Sequence, residues 1–577
     1  LPRFRCCWWL TVLAAACLSG CRKEDAQEPN SSSGVAAPRS ALSSPRPQQE
    51  GDWFEDVTEQ SGIAFEYRNG REANRFTILE TVGGGVGMLD YDRDGDLDLF
   101  FPGGGSFDAQ GQVIGRAGGL FRNEGDFRFS EVTREAGLND ASLYTHGCLA
   151  FDYNQDGFLD LLVTGYGGCR LFRNTQQGRF IDATAEAGLE ANDWTTAAAA
   201  ADVDRDGWPD LYLATYVTWA PEDDARRFCG DRERDIRDVC PPQLYPDAPD
   251  RLFRNLGNGR FEEITEQAEL VPQGRGLGVL ATDINRDGWN DFYLANDAGF
   301  NHLYLGAGGG KLHETGLSAG VGGNEHGLAE GSMGVDLADF NGDGLADLWV
   351  TNFELEDNSL YAGLEKNVFQ HATLASGLAG QCFRYVGFGT GFADFDSDGW
   401  QDLLVINGNV FYTLGQAPFE QPAFIFRNLG GRFENATERA GPYFSVPHPG
   451  RGAAIGDLNN DGALDVVVSH MNAPVAVLRN RKPPAQFLSL RLQATQGERE
   501  AVGARVLLVD GDQTTVRWIR SGAGYLSQFD PRVIFPLTVG ARPEVRVEWP
   551  GRKVEVFDNR PLNQTSDLVE GQGRVSP

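Results

Sequence analysis

The stretch Asp152-Tyr153-Asn154-Gln155-Asp156-Gly157-Phe158-Leu159-Asp160 places oxygen-bearing side chains at positions 1, 3, 5 and 9, with a glycine at position 6. The pattern Asp-x-(Asp/Asn)-x-Asp-Gly-x-x-Asp recurs with starts at Asp90, Asp152, Asp202, Asp283, Asp339, Asp394 and Asp457. Seven copies of so specific a pattern are a repeat, and a repeat organises the whole chain. In a tight loop of this kind the side chains at 1, 3 and 5 converge, residue 7 offers its carbonyl and residue 9 closes the site. Glycine at 6 permits the sharp turn. Hard oxygen donors in this number suit Ca²⁺ better than Mg²⁺, which demands a stricter octahedron and keeps its waters.

The predicted ligands are Asp90, Asp92, Asp94 and Asp98; Asp152, Asn154, Asp156 and Asp160; Asp202, Asp204, Asp206 and Asp210; and Asp283, Asn285, Asp287 and Asp291. The last three loops contribute Asp339, Asn341, Asp343 and Asp347; Asp394, Asp396, Asp398 and Asp402; and Asp457, Asn459, Asp461 and Asp465. Clustering carboxylates seven times over without a cation would be electrostatically costly, so about seven structural Ca²⁺ sites are expected. An EF-hand needs Glu at position 12 and flanking helices. Position 12 here is Phe101, Val163 or Leu213, and the flanks read as strands, so that reading fails.

Each copy has the same surroundings. A strand of small residues precedes it (Gly84–Leu89, Gly452–Gly456) and an apolar strand follows (Leu159–Thr164, Leu464–Ser469). A third strand carries Leu-Phe-Arg-Asn at 120–123, 171–174 and 252–255, with variants at Ile425–Asn428 and Val477–Asn480. A fourth, of the type Arg-Phe-x-x-x-Thr, ends at Thr133, Thr184, Thr265 and Thr437. Four strands per unit at this period predict an all-β, seven-bladed propeller over residues 52–480. The last unit lacks its fourth strand, while an isolated copy, Phe54–Thr58, precedes the first loop. The amino-terminal strand is therefore expected to close the last blade.

Long insertions fall at Gly103–Gly119, Tyr216–Arg251 and Asn407–Pro422. They follow second strands or precede third ones, which puts them on the face opposite the metal loops. Loops on a rigid scaffold carry function, so this is the expected binding face. His146, Arg275, Glu330, Tyr385 and Arg451 all fall just before innermost strands, and a polar ligand pocket at the axis mouth is expected from them. Cys229 and Cys240 are expected to form a disulfide across the middle insertion.

At the amino terminus Arg3 and Arg5 precede an apolar run, Trp8–Leu18, closed by Leu18-Ser19-Gly20-Cys21. The run is too short to span a bilayer. It predicts a signal peptide over 1–21, with the ending resembling a bacterial lipobox lipidated at Cys21. Residues 22–51 read as a disordered tether and 572–577 as a disordered tail. With Lys+Arg 50 against Asp+Glu 82 and a formal charge of −32, no basic field exists to bind nucleic acid. No Gly-x-Ser-x-Gly elbow, phosphate loop, His-Glu-x-x-His or dinucleotide fingerprint is present, so no catalytic residue is assigned.

The metal loops resemble the FG-GAP (VCBS-type) repeats of integrin α-chain propellers, and that resemblance implies Ca²⁺ in hairpins at one face of the ring. After residue 484 the loops cease. Gly503-Ala-Arg-Val506, Gly522-Ala-Gly-Tyr-Leu-Ser527 and Val547-Glu-Trp-Pro-Gly551 resemble the ASPIC/UnbV module that follows such propellers in the cartilage acidic protein family. Phe535-Pro536-Leu537 stands where that family more often shows a Gly-Leu-Gly turn. A small β-sandwich over 485–571, appended to the ring, is the expectation. The function implied is an exported, lipid-anchored adhesion or binding module for a protein or glycan at the cell envelope. The alternatives are a surface enzyme acting on polysaccharide through the mouth residues, or a structural envelope component.

Overall fold

The computed structural model describes residues 45–551 and 553–575. The signal segment and Cys21 lie outside the described residues. Nearly all regular structure is strand. Seven antiparallel units succeed one another, each running in order through four strands from inner to outer, and the fourth unit's sheet gains Glu330–Gly331 and Ser521–Gly522 as extra strands. The third consists of Thr195–Ala201, Asp210–Thr215, Arg251–Asn255 and Phe261–Glu263. The seventh combines Gly450–Gly456, Asp465–His470 and Ala476–Asn480 with Phe54–Asp56, whose Phe54 pairs with Asn480.

The outer strands show why the Arg-Phe-x-x-x-Thr motif ends in threonine. The Thr184 hydroxyl accepts the N–H of Leu171 at 2.9 Å, tying the outer strand to the third strand. Thr133, Thr373 and Thr437 repeat this with Leu120, Leu360 and Ile425. In the seventh unit Thr58 does so for Val477 at 2.8 Å, so the chain's beginning performs the same task as the other outer segments.

Inner strands are built from small residues because the next unit lies directly against them. Thr195–Ala201, Thr-Thr followed by five alanines, is buried throughout. A Cβ on Gly278 would lie 2.3 Å from the Met333 carbonyl oxygen, and one on Gly334 would lie 2.2 Å from that of Phe388. These contacts proceed in order around the molecule. Gly85 N–H donates to His146 O at 2.8 Å, the Thr196 hydroxyl donates to Gly276 O at 2.6 Å, and Gly452 N–H donates to Gly84 O at 3.1 Å. The seventh inner strand thus returns to the first in a propeller-like arrangement.

Residues beyond 484 form two sheets. One orders Val533–Leu537, Gln486–Gln493 and Thr565–Val569; the other orders Gln513–Trp518, Arg505–Asp510, Glu544–Glu548, Val554–Phe557 and Arg574–Val575. Leu490, Val506, Phe535, Val547 and Leu568 share one apolar cluster between them. Pro536 sits in an edge strand, where its missing N–H removes no ladder bond on the outer side. Arg574–Val575 pairs with Val556 and Glu555, so part of the expected tail is strand. Within the expected tether, Arg46 binds Asp52 at 2.6 Å and Glu438 O at 2.9 Å.

The expectation of an appended domain needs correction. Ser521–Asp530 leaves the second sheet and enters the space between the inner strands. Ser521 and Gly522 pair with Ala281 and Leu280, Gly524 bridges to Val335, and Gln528 bridges to Gly87. Tyr525 is fully buried, and its hydroxyl donates to Val82 O at 2.8 Å. Gly85 has no side chain because Leu526 O would stand 1.7 Å from a Cβ there. The Gly-Ala-Gly-Tyr-Leu-Ser segment is therefore core to the repeat region.

Candidate metal sites

All seven loops adopt one backbone conformation. The glycine at position 6 is left-handed in each, from Gly344 (φ 79°) to Gly399 (φ 97°). Position 4 is left-handed as well, although it is occupied by Arg93, Gln155, Arg205, Arg286, Gly342, Ser397 and Asn460. Non-glycine residues are uncommon in that region. Their recurrence at one position follows from the side-chain bonds inside the loop. The first aspartate folds it: Asp152 accepts the N–H groups of Asp156 and Gly157 at 2.9 and 2.7 Å, and Asp283, Asp339, Asp394 and Asp457 repeat this. The third-position oxygen accepts from position 5, and the fifth from position 7, as Asn154 and Asp156 do.

The ninth-position aspartates are buried. Asp210 accepts from Val203 N–H and Asn255 N–H, both at 2.8 Å, and so joins the loop to the third strand. Burial, opposed by these hydrogen bonds and reinforced by neighbouring loop carboxylates, pushes Asp98 and Asp347 up to about 8 and Asp160 up to about 9. The first-position groups are raised for the same leading reason, Asp152, Asp202 and Asp283 to about 6 and Asp394 and Asp457 to about 7.

Among the described residues, carboxylate oxygens of Asp90, Asp92 and Asp94, of Asp202, Asp204 and Asp206, and of Asp394, Asp396 and Asp402 lie within 4.8 Å of one another. Buried oxygens of Asp90, Asp92, Asp160 and Asp396 have no hydrogen-bond partner. A cage of unpartnered, mutually repelling carboxylate oxygens fits a hard divalent cation, which would supply the missing charge and coordination.

Two features of the repeat have roles that strand periodicity does not disclose. The asparagine of Leu-Phe-Arg-Asn clamps neighbouring loops together. Asn174 Nδ2 donates to Leu159 O in its own loop and to Tyr91 O in the preceding one. Asn255, Asn428 and Asn480 do the same, and Asn123 joins Leu97 to Leu458, linking the first loop to the seventh. The arginine one place earlier turns to its loop in the sixth unit, where Arg427 binds Asp396 and, at 2.7 Å, Asp398. The fixed recurrence of Arg-Asn at an outward-turning strand end was the available signal.

The carboxyl-terminal domain lies over these loops. Arg491 stands 3.8 Å from Asp90, Glu500 accepts Asp152 N–H at 3.0 Å, and Arg532 donates to Asp457 O at 2.6 Å. Arg505 and Arg517 approach Gly344 O and Gly399 O at 3.4 Å. A cavity of about 330 Å³ remains between the domain and the loops, lined by Asp90, Asp152, Asp394, Arg499, Arg517 and Trp518 among others.

The predicted mouth residues do not form one pocket. His146 is fully buried, with Nδ1 2.9 Å from Gly83 O, and burial lowers it to about 4. Arg451 is also fully buried. It donates to Thr81 O, Gly450 O and Asn409 O at 2.8–3.0 Å and lies over the Phe388 ring. These two meet around residues 81–84, beside the inserted Tyr525. Arg275 pairs instead with Asp247 at 2.6 Å, Glu330 accepts from Asn352 and Ser359, and Tyr385 packs on Phe424. The mouth itself is crossed by the 409–418 segment, held by Asp238 at Tyr412 N–H, Thr413 N–H and Leu414 N–H, and by Glu354 at Gln416 N–H. Cys229 and Cys240 are disulfide-bonded, whereas Cys148, Cys169 and Cys382 are buried free thiols.

Family models for the FG-GAP-like repeat match residues 90–163, 152–213, 283–350 and 394–468, stretches that together contain all seven loops, and a model for ASPIC and UnbV matches 494–575. The chain carries FG-GAP-like repeats followed by an ASPIC and UnbV domain. This FG-GAP chain is similar to cartilage acidic protein 1. The mouse protein is 28% identical over 327 residues, covering 55% of this chain and 48% of that protein. The Xenopus tropicalis protein is 24% identical over 480 residues, covering 71% of each. The chain thus spans about half the length of the mouse relative. Among solved structures, it is similar to an Agrocybe aegerita lectin that recognises non-reducing terminal N-acetylglucosamine (16% identity, 68% of this chain, 86% of that chain, TM-score 0.38). It is similar also to BBS1N in complex with ARL6DN (9% identity, 75% of this chain, 97% of that chain, TM-score 0.38).

Proposed function

We propose that this chain is an exported calcium-binding propeller that acts as an adhesion or binding module for a protein or glycan at the cell envelope. In this reading the seven units are its blades, Phe54–Asp56 completes the last, and the carboxyl-terminal sandwich covers the loop face. Ca²⁺ in the loops is structural. It neutralises the buried aspartates whose spare oxygens otherwise lack partners, and Asn123, Asn174, Asn255, Asn428 and Asn480 spread the resulting rigidity from loop to loop. The anchor is a lipid at Cys21. With a formal charge of −32, nucleic acid is not the ligand.

The observation that carries the binding reading is the division between the two faces. The loop face is occupied by the chain's own second domain. On the connections opposite, Leu244, Phe300, Leu328, Leu355 and Phe383 are exposed, and Leu355 N–H bonds Phe383 O at 2.7 Å, which makes those two neighbours. An adjoining exposed pair such as Leu355 and Phe383 on an otherwise acidic protein is what a recognition surface needs. The enzymatic alternative has less support, because His146 and Arg451 are consumed by backbone carbonyls.

A screen of the protein against glycans and envelope proteins, run with Ca²⁺ and with chelator, tests this. Leu355→Ala with Phe383→Ala should weaken a captured ligand tenfold or more at unchanged melting temperature. Capture that survives both changes, or no capture under either condition, would sink the assignment of the face.

A further inference from the structure

The Gly497-Glu498-Arg499-Glu500 turn of the carboxyl-terminal domain lies over the second and third loops. A Cβ on Gly207 of the third loop would lie 3.9 Å from Gly497. Arg499 stands 4.0 Å from Asp152, and Glu500 accepts the Asp152 N–H at 3.0 Å. Glu498, between them, is only 2% exposed, and its Oε1 has no hydrogen-bond partner. The charged groups that act on it are carboxylates, Asp202 and Asp210 of the third loop and the adjoining Glu500, and the donor beside it is the Asp202 backbone N–H.

Other acids that the domain turns toward the loops are provided for. Asp530 is bound by Arg532 at 2.8 Å, and Glu500 holds a backbone N–H. Glu498 alone is left with a buried bare oxygen among like charges, and the turn's own arginine is directed at Asp152. A buried carboxylate with a bare oxygen and no counter-charge is strongly disfavoured. A hard cation with oxygen ligands removes both defects at once, and the third loop is one whose Asp202, Asp204 and Asp206 oxygens already converge within 4.8 Å.

We propose that Glu498 completes the cation site of the third loop from outside the repeat, so that one hard cation such as Ca²⁺ is shared between the loop and the carboxyl-terminal domain. This rests on the calcium reading of the loops. Its consequence is that occupancy of the third loop and docking of the domain are linked: the ion fastens the domain, and the domain raises the ion's affinity.

The test uses the full chain, with Ca²⁺ as the probe. Calorimetric titration and native mass spectrometry compare wild type with Glu498→Gln, and melting is followed in Ca²⁺ and in chelator. One site should weaken at least tenfold in Glu498→Gln. The variant should melt below wild type in Ca²⁺ but at or above it in chelator, because the amide relieves the repulsion that only an ion otherwise relieves. If that variant does not fold, Glu498→Asp, which withdraws the charge by one methylene, is read in its place and should weaken the same site. An unchanged isotherm, or a melting shift of the same sign and size in both conditions, makes Glu498 a buried acid without an ion and overturns the proposal while the loops keep their calcium. Wild type that binds no Ca²⁺ overturns the loop reading itself.

Discussion

Replacing Tyr525 asks whether the carboxyl-terminal domain and the repeats are one cooperative body. Its ring is fully buried, meets Phe388 at 5.0 Å between centroids, and its hydroxyl is a donor to Val82 O at 2.8 Å. Tyr525→Phe removes only that donor and strands a buried carbonyl, which costs about 1–3 kcal/mol. Tyr525→Ala removes the ring as well. Emptying a buried aromatic site costs about 3–5 kcal/mol, for a total near 5 kcal/mol. Melting temperature is a blunt measure of this. With a melting entropy of about 2.1 cal/mol/K per residue over roughly 530 residues, 5 kcal/mol moves the midpoint of a single transition by only about 4–5 °C. Urea unfolding in saturating Ca²⁺ is the better assay, because the full 5 kcal/mol appears in the midpoint multiplied by the slope. Tryptophan emission and far-ultraviolet dichroism should move together, with Tyr525→Ala shifted several-fold further than Tyr525→Phe. An early, separate transition of residues 485–575, with the remainder unfolding as in wild type, would refute the interlocked arrangement.

Three further outcomes are expected. In chelator, stability should fall as pH rises from about 4 to about 8. Asp98 and Asp347 titrate near 8 in the fold against an unfolded value near 3.8, so the native state holds more protons in that window; Ca²⁺ should flatten the profile in melting scans. In Ca²⁺-saturated protein the reverse slope should appear below pH 6.5, because burial lowers His146 to about 4 and the unfolded chain takes up the proton first. His146 by itself accounts for a loss of about 3 kcal/mol by pH 4, and denaturant midpoints of His146→Gln should lack that share while His470, which burial lowers to about 3, keeps its own. Asn174→Ala should cost about 2–4 kcal/mol by urea unfolding, since the Leu159 and Tyr91 carbonyls both lose a buried donor, and it should weaken Ca²⁺ at the first two loops together.

The metal pattern was legible because it is local: four ligand positions and a glycine lie within nine residues, and the side chains at positions 1, 3 and 5 bond backbone N–H groups two to five residues away. The strand order within a unit was legible for the same reason, through small, apolar and Arg-Phe segments in a fixed sequence. Mouth residues were harder. His146 and Arg451 do lie just before inner strands, but nothing in a linear pattern says that Tyr525, more than seventy residues after Arg451, comes to lie beside them. Their polarity serves buried carbonyls of residues 81–83.

By itself, then, the sequence determined a repeated oxygen cage, the strands that flank it and a second β domain, because these follow from spacing and side-chain size over short range. Tertiary structure alone decided that the second domain lies on the cages and sends a loop between the inner strands. It also decided that asparagines tie five of the cages to a neighbouring one, and that Glu498 keeps a bare oxygen beside Asp202. Those contacts join residues from 83 to 443 apart, and their energies come from burial and unpaired charge, which exist only once the units have packed.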